Sequence, residues 1–292
     1  MDSSTDLHPA VALMARETQL REGAVPDSLE GLELLPNRHL LLGESYLLRT
    51  ASGLDYLYRK GQGVIASRPA GWSPAEDALW RNGSLYAAIA CINGLYPVHA
   101  SAVAHRGQVH AFTGPSGAGK STLVAELARR GLPLFCDDTL VLDLSDPARP
   151  LCLPGHKRLK LCPDALALTG AEGEEQVSPD IAKYYARPAG GVVTQCLPLA
   201  SLTFLEAGEP ARIEPLSGAE KLLRLQDDHY TTELYLSANQ PDRRARFAQL
   251  AALAGAIRID RFVRPIDPAR FALDAALAER HVLGADSDGI AR

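Results

Sequence analysis

Long hydrophobic runs are missing from this chain, and their absence excludes a helical membrane protein: no apolar stretch approaches the ~20 residues that span a bilayer. The first residues, MDSSTDLHPAVALMARETQLRE, are acidic at the start and lack an apolar core followed by a small-residue cleavage site. No signal peptide is therefore predicted, and a cytoplasmic location with no membrane partner is expected. Cysteine is scarce as well. Cys91, Cys136, Cys152, Cys162 and Cys196 are odd in number and form no CxxC pair, which argues against a disulfide framework and against a zinc site. Most are expected to be buried small hydrophobes. Positive charge is not in surplus: 30 Lys and Arg stand against 35 Asp and Glu, a formal net charge of -5. A nucleic-acid binder neutralises phosphates with an excess of cations, so none is expected as partner. Repeats and low-complexity stretches are absent too.

What is present is an ordinary globular composition, 46% hydrophobic and 22% charged, over 292 residues. That length suits one large domain or two unequal ones. Residues 1–95 read as a distinct region. Leu32 to Leu35 and Leu40 to Tyr58 mix apolar residues with Gly, Pro and Asn, which favours short strands and turns. A helix is predicted from Ser73-Pro74-Ala75-Glu76, a cap followed by a first-turn proline and an acid, continuing around Gly83.

Residues 96–292 hold the informative stretch, PVHASAVAHRGQVHAFTGPSGAGKSTLVAELARRG. Val98 to His105 and Gln108 to Thr113 are β-prone runs separated by Arg106-Gly107, which predicts a tight hairpin. Then Gly114-Pro115-Ser116-Gly117-Ala118-Gly119-Lys120-Ser121 matches GxxxxGK[ST] at every fixed position, and Thr122 to Arg130 has helical composition. Glycines let successive backbone N–H groups curl around phosphate oxygens, and the helix start adds its positive dipole end. Lys120 is placed to reach the β/γ-phosphates of ATP, and Ser121 to ligate Mg²⁺. The segment Gly114 to Thr122 is thus the expected nucleotide cradle. Next comes FCDD: Asp137 and Asp138 are expected at the carboxyl end of a short apolar strand, the end at which open α/β sheets bind ligands. One acid can help hold Mg²⁺ while the other takes a proton from an attacking hydroxyl; either could alternatively cap the following turn.

In order, His99 within PVHASAV, the loop GPSGAGKS and the paired acids in FCDD resemble the catalytic domain of HPr kinase/phosphorylase. The likeness extends over about residues 95 to 145, with CLPLASLTFLE, Cys196 to Glu206, as a later sheet strand. It implies an α/β fold akin to phosphoenolpyruvate carboxykinase, with a small strand-containing N-terminal region. It also implies ATP and Mg²⁺ as cofactors and a hydroxyl acceptor on a peptide or protein. Carried over residue by residue, it makes Asp137 the general base, His99 its partner, and Asp138, with Ser121, the metal side. Thr122 stands where the family usually has an acidic residue, and residues 1–95 do not resemble its N-terminal domain. The chain looks more like the shorter branch that accompanies ribosomal peptide clusters, including those of lasso peptides, where the acceptor is a serine of the precursor. Hexamers occur in the resembled family, so a homo-oligomer stays open. So do a small-molecule acceptor, a nucleotide-gated switch that transfers nothing, and the reverse phosphorolysis.

Other candidates are weaker. PGHKRLKLCP, Pro154 to Pro163, reads as a strand with His156, Arg158 and Lys160 on one face, able to bind phosphates or a carboxylate, or simply a solvated edge. Lys183 and Arg187 could place a cation at the transferred group. Tyr184 and Tyr185 are expected to pack, His105 and His110 to be ordinary hairpin residues, and DDHYTTE, Asp227 to Glu233, to form a solvated turn.

Overall fold

Apolar residues spaced by two place side chains alternately on the two faces of a strand, and the first region is built on that period. In the computed structural model, which describes residues 7–226, 230–239 and 243–284, helix α1 (Pro9–Glu17) precedes seven strands. These are β1 (Leu20–Glu22), β2 (Ser28–Leu29), β3 (Leu32–Glu33), β4 (Arg38–Leu42), β5 (Ser45–Arg49), β6 (Asp55–Arg59) and β7 (Gly63–Ser67). Five form a sheet in the order β1-β7-β6-β5-β4, with only β1 and β7 parallel. Leu47 faces Leu57 across the register and joins Leu29 in an apolar cluster. The opposite face buries Tyr46, Tyr56 and Tyr58. A buried phenol needs a partner: Tyr56 donates to Asp77 at 2.9 Å and Tyr58 to Glu17 at 2.8 Å.

The helix predicted from Ser73 is two helices, α2 (Pro74–Asn82) and α3 (Ser84–Ile92), parted at Gly83. Its expected cap is present, with Ser73 Oγ accepting from the Glu76 N–H at 3.3 Å. Strand β8 (Tyr96–Val98) ends this part of the chain.

Beyond it, β9 (Ala100–His105) and β10 (Gln108–Thr113) form the predicted hairpin. Arg106 and Gly107 both take positive φ, 48° and 73°, as a primed two-residue turn requires. The glycine-rich loop leads into α4 (Lys120–Arg129), and β11 (Leu134–Cys136) and β12 (Leu140–Asp143) flank the aspartate pair. Next come β13 (Leu151–Leu153), β14 (Leu159–Leu161), α5 (Pro163–Thr169), β15 (Gly173–Ser178), β16 (Ile181–Ala186), β17 (Leu197–Ala207), β18 (Arg212–Pro215) and α6 (Gly218–Leu225). The last elements are α7 (Tyr230–Asn239), α8 (Arg243–Ala256), β19 (Arg258–Arg264) and α9 (Phe271–Leu283).

The main sheet runs β11-β9-β10-β17-β13-β12, with β19 also against β17 and β18 against β19. Strand β17, the stretch expected as a later sheet strand, is its centre: β10 and β19 lie parallel to it and β13 antiparallel. The fold is mixed α/β. Helix α4 packs Leu123, Val124 and Leu127 into a core with Phe112, Leu134, Leu205 and Phe262. At its far end Arg130 pairs with Glu126 and with Glu279 of α9, at 2.8 and 2.9 Å. A smaller sheet, β14-β16-β15, stands beside α4 and α5.

The chain divides into two compact units, Met1–Pro97 with Tyr230–Asp242, and Val98–His229 with Arg243–Arg292. The expectation of a single cut near residue 95 left out that second segment. It groups with the first unit because α7 packs on α3 and β4. The basic strand expected over Pro154 to Pro163 is confined to Leu159–Leu161. Lys157 turns inward to donate to the Phe135 carbonyl, and Arg158 stacks 3.9 Å above Tyr185, so the expected basic face does not form. Asp227, Asp228 and His229 lie outside the described residues. Among the described residues no helix is long and apolar enough to cross a membrane. Three of the five cysteines are buried, Cys162 is exposed and Cys196 intermediate, and all are free.

Candidate active site

Loop residues Gly114 to Gly119 leave β10 at its carboxyl end and enter α4 directly. Gly119 is the residue before the helix, with φ 84°, and a Cβ there would lie 2.5 Å from Arg264 Nη2. The left-handed backbone favours glycine, and any side chain there would also displace the Arg264 guanidinium. No side chain caps α4. Its first N–H groups therefore keep their donors, at the end of the helix that attracts anions.

Lys120 is buried, and its Nζ donates to the carbonyls of Gly114 at 2.8 Å and Pro115 at 3.1 Å. Burial pulls its pKa down to about 8, against the pull of the Asp138 and Asp137 charges. Thr113 Oγ1 donates to the His99 carbonyl at 3.0 Å, which ties the segment before β9 to the start of the loop. His99 itself lies in the break between β8 and β9, not within the hairpin strand as expected.

The two aspartates differ sharply. Asp137 is 1% exposed and both its oxygens are occupied: Oδ1 accepts from Ser101 Oγ at 2.6 Å and Oδ2 from the Lys160 N–H at 2.8 Å. Asp138 retains 28% of its side-chain exposure and lies in a pocket of about 110 Å³ with His99, Lys120, Ser121, Thr122, Lys160 and Lys183. Its Oδ2 accepts from Lys160 Nζ at 2.6 Å, and its Oδ1 lies 3.6 Å from His99 Nε2. The expected His99–Asp137 pair is thus replaced by a His99–Asp138 pair. The physical reason is the break after β11. The Thr139 N–H bonds the Asp137 carbonyl at 2.9 Å, and Asp138, at φ 72°, is the centre of this tight turn. That turn geometry is rare and strained for a residue with a Cβ. It points Asp137 into the sheet and Asp138 toward the loop.

Burial would raise the Asp138 pKa, but the Lys160 charge and the His99 contact hold it far below the ordinary carboxylate range. Lys160 grips both acids, Asp137 through its backbone and Asp138 through its ammonium. The sequence showed this lysine only as one cation in a basic stretch. Lys183 reaches the pocket, whereas Arg187 pairs with Glu174 at 2.6 Å and lines a separate cavity. Tyr185 is buried, and His110 is buried against Ser201 at 2.9 Å. Ser101 and Arg264 were missed. Ser101 carries no sequence signal, but Arg264 had one, a cation closing the apolar run RFVR.

Among the described residues no cluster of three His, Cys, Asp or Glu side chains could hold a metal alone. Mg²⁺ does not need one, since it is commonly held by one or two carboxylates together with substrate phosphates. Ser121 and Asp138 share the pocket and fit that pattern.

These features define a mixed α/β protein whose glycine-rich loop, helix start and lysine cluster converge on one strained carboxylate. No protein-family model matches the chain, and no curated protein matches it. Among solved structures, an HPr(Ser) kinase/phosphatase from Coxiella burnetii is similar over 65% of this chain and 92% of its own, at 16% identity and a TM-score of 0.33.

Proposed function

We propose that this protein is an ATP-dependent phosphotransferase that moves the γ-phosphoryl group to a serine hydroxyl on a peptide or protein, with a lasso-peptide precursor as the acceptor class. The observation that carries the reading is the pocket in which Asp138, with His99 and Lys160, faces Lys120 and Ser121 of the loop. ATP with Mg²⁺ supplies the phosphoryl group and screens its charge when bound. Lys120 and the N–H groups of the loop and of the start of α4 would bind the phosphates, and Ser121 and Asp138, which line the same pocket, would hold the metal. Phosphoryl transfer asks the protein mainly for position and charge. The acceptor hydroxyl is oriented beside the His99–Asp138 pair, in which His99 Nε2 faces Asp138 Oδ1, and its proton passes to that pair as the phosphoryl group moves. Asp138 therefore fills the acceptor-side role expected of Asp137. A nucleotide-gated switch needs no such pair beside the loop, which favours transfer. The resemblance of His99, GPSGAGKS and FCDD to the HPr kinase pattern supports a kinase, and the choice of a precursor peptide is supported by the departures from that pattern, Thr122 after the loop serine and the different region 1–95.

The test is intact-mass measurement of a candidate precursor peptide after incubation with ATP and Mg²⁺, with Lys120→Ala as control. A gain of about 80 Da, one phosphoryl group, with the wild-type chain alone is expected. ATP consumed without that gain rejects the peptide acceptor, and no consumption rejects the kinase reading.

A further inference from the structure

Arg264 is the last residue of β19, only 7% exposed, and its Nη2 donates to the Ala118 carbonyl at 2.8 Å. In a trans peptide the carbonyl and the N–H point in opposite directions, and the Ala118–Gly119 bond is trans. A guanidinium that holds the Ala118 carbonyl therefore aims the Gly119 N–H at the other side of the loop. On that side lies the pocket of Lys120, Ser121 and Asp138: Gly119 lines it, whereas Ala118 and Arg264 do not. We propose that Arg264 is a positioning residue, fixing the Ala118–Gly119 peptide so that the Gly119 N–H faces the phosphates of a bound nucleotide. This inference rests on the phosphotransferase reading and adds to it a residue that acts only through the loop.

The loop needs such a tether. Gly117 and Gly119, at φ 85° and 84°, flank Ala118, and glycines on both sides leave a peptide free to turn. The energetics of Arg264 point the same way. A buried charge is costly unless it is paired, and among the described residues no carboxylate hydrogen-bonds this guanidinium. Its Nε is buried without a partner, as is Oδ2 of Asp274, which stands in the first turn of α9 and acts on Arg264 through its charge alone. Burial pulls the Arg264 pKa below its ordinary value against that charge. An arginine kept as a brace is paired as Arg130 is, with Glu126 and Glu279 at 2.8 and 2.9 Å. Arg264 instead spends its one side-chain hydrogen bond on the loop.

The experiment uses Arg264→Met, which keeps a long side chain and removes its donors. It reads thermal melting, ATP affinity by calorimetry and the Gly119 amide resonance of ¹⁵N-labelled protein. Because the guanidinium is buried and unpaired, the variant is expected to melt at or above the wild-type temperature. ATP is expected to bind about ten- to hundredfold more weakly, the loss of one hydrogen bond to a charged group. The shift that ATP causes in the wild-type Gly119 amide is expected to fall to less than about half. ATP affinity within about twofold of wild type, or an undiminished Gly119 shift, overturns the role. A variant that melts well below the wild type, or does not fold, marks Arg264 as a brace and overturns it too. If the wild-type chain binds no ATP, the phosphotransferase reading falls and this role with it.

Discussion

Two polar clusters sit at the two ends of β10, β17 and β19, built from similar side chains and put to different uses. At the amino end, His110 bonds Ser201 at 2.9 Å, while Asp260, 1% exposed, takes His281 Nε2 and Arg258 Nε, both at 2.9 Å. At the carboxyl end, Lys120, Lys160 and Lys183 gather around Asp138 on a strained turn with Asp137 buried behind it, three lysines to two carboxylates. The first cluster is closed on itself: its polar groups satisfy one another, as buried groups must. The second keeps excess positive charge beside an uncapped helix start, an arrangement that attracts an anion. Equal burial of charge therefore means little alone. What separates a site from a brace is whether the charges cancel within the fold.

The sharpest way to break this comparison is to change one residue at a time at the carboxyl end. Lys120→Ala is expected to lower phosphoryl transfer at least about 10³-fold, read as radiolabel on the acceptor; activity near wild type would remove the loop from the mechanism. Asp138→Asn comes next, with a loss of about 10²–10⁴ in kcat and a melting temperature close to wild type. Its neighbour should behave in the opposite way. Asp137→Asn costs about 1–3 kcal/mol of stability, read by denaturant melts, because an amide cannot accept from both Ser101 and the Lys160 N–H without exposing its own donors to burial. A larger kinetic effect from Asp137→Asn than from Asp138→Asn would reverse the assignment.

Titration sharpens the contrast further. Burial first, with Arg258, His105 and His281 adding their charge, holds the His110 pKa to about 4, below the ordinary 6.5 of a histidine. A depressed folded value means the neutral ring is the folded form. Its stabilisation is complete above pH 6.5 and is lost as pH falls toward 4. His110→Asn should flatten acid-induced melting over that window while leaving turnover at neutral pH within about twofold. At the other end Lys120, lowered to about 8, loses its ammonium as pH rises past that value, so ATP affinity should fall above pH 8. The smallest effect is expected from Arg187→Ala, whose side chain is 85% exposed and pairs only at the surface with Glu174: less than about 1 kcal/mol on stability and no change in ATP affinity by calorimetry.

Much of the candidate site was legible because its parts are adjacent in the chain. The hairpin turn at Arg106-Gly107, the loop from Gly114 to Ser121 and the helix after it are local signals, each set by backbone preferences within a few residues. The capping of α2 by Ser73 is legible for the same reason. What could not be read were pairings across the chain. His99 and Asp138 are 39 residues apart by number, Lys160 meets the acids from β14, and Arg264 reaches the loop from β19. Tyr230–Asp242 joins the N-terminal unit against all chain order.

The sequence by itself determined that this chain has an α/β region with a GxxxxGK[ST] loop between strand and helix and an acid pair beyond it, because those features depend on residue type and short spacing. Only the tertiary structure decided which acid faces the loop. That choice turns on one positive φ at Asp138 and on two hydrogen bonds that hold Asp137 in the sheet, from Ser101 and from the backbone of Lys160. Neither partner is a neighbour in sequence, and two adjacent aspartates have the same propensities, so only the packed surroundings can tell them apart.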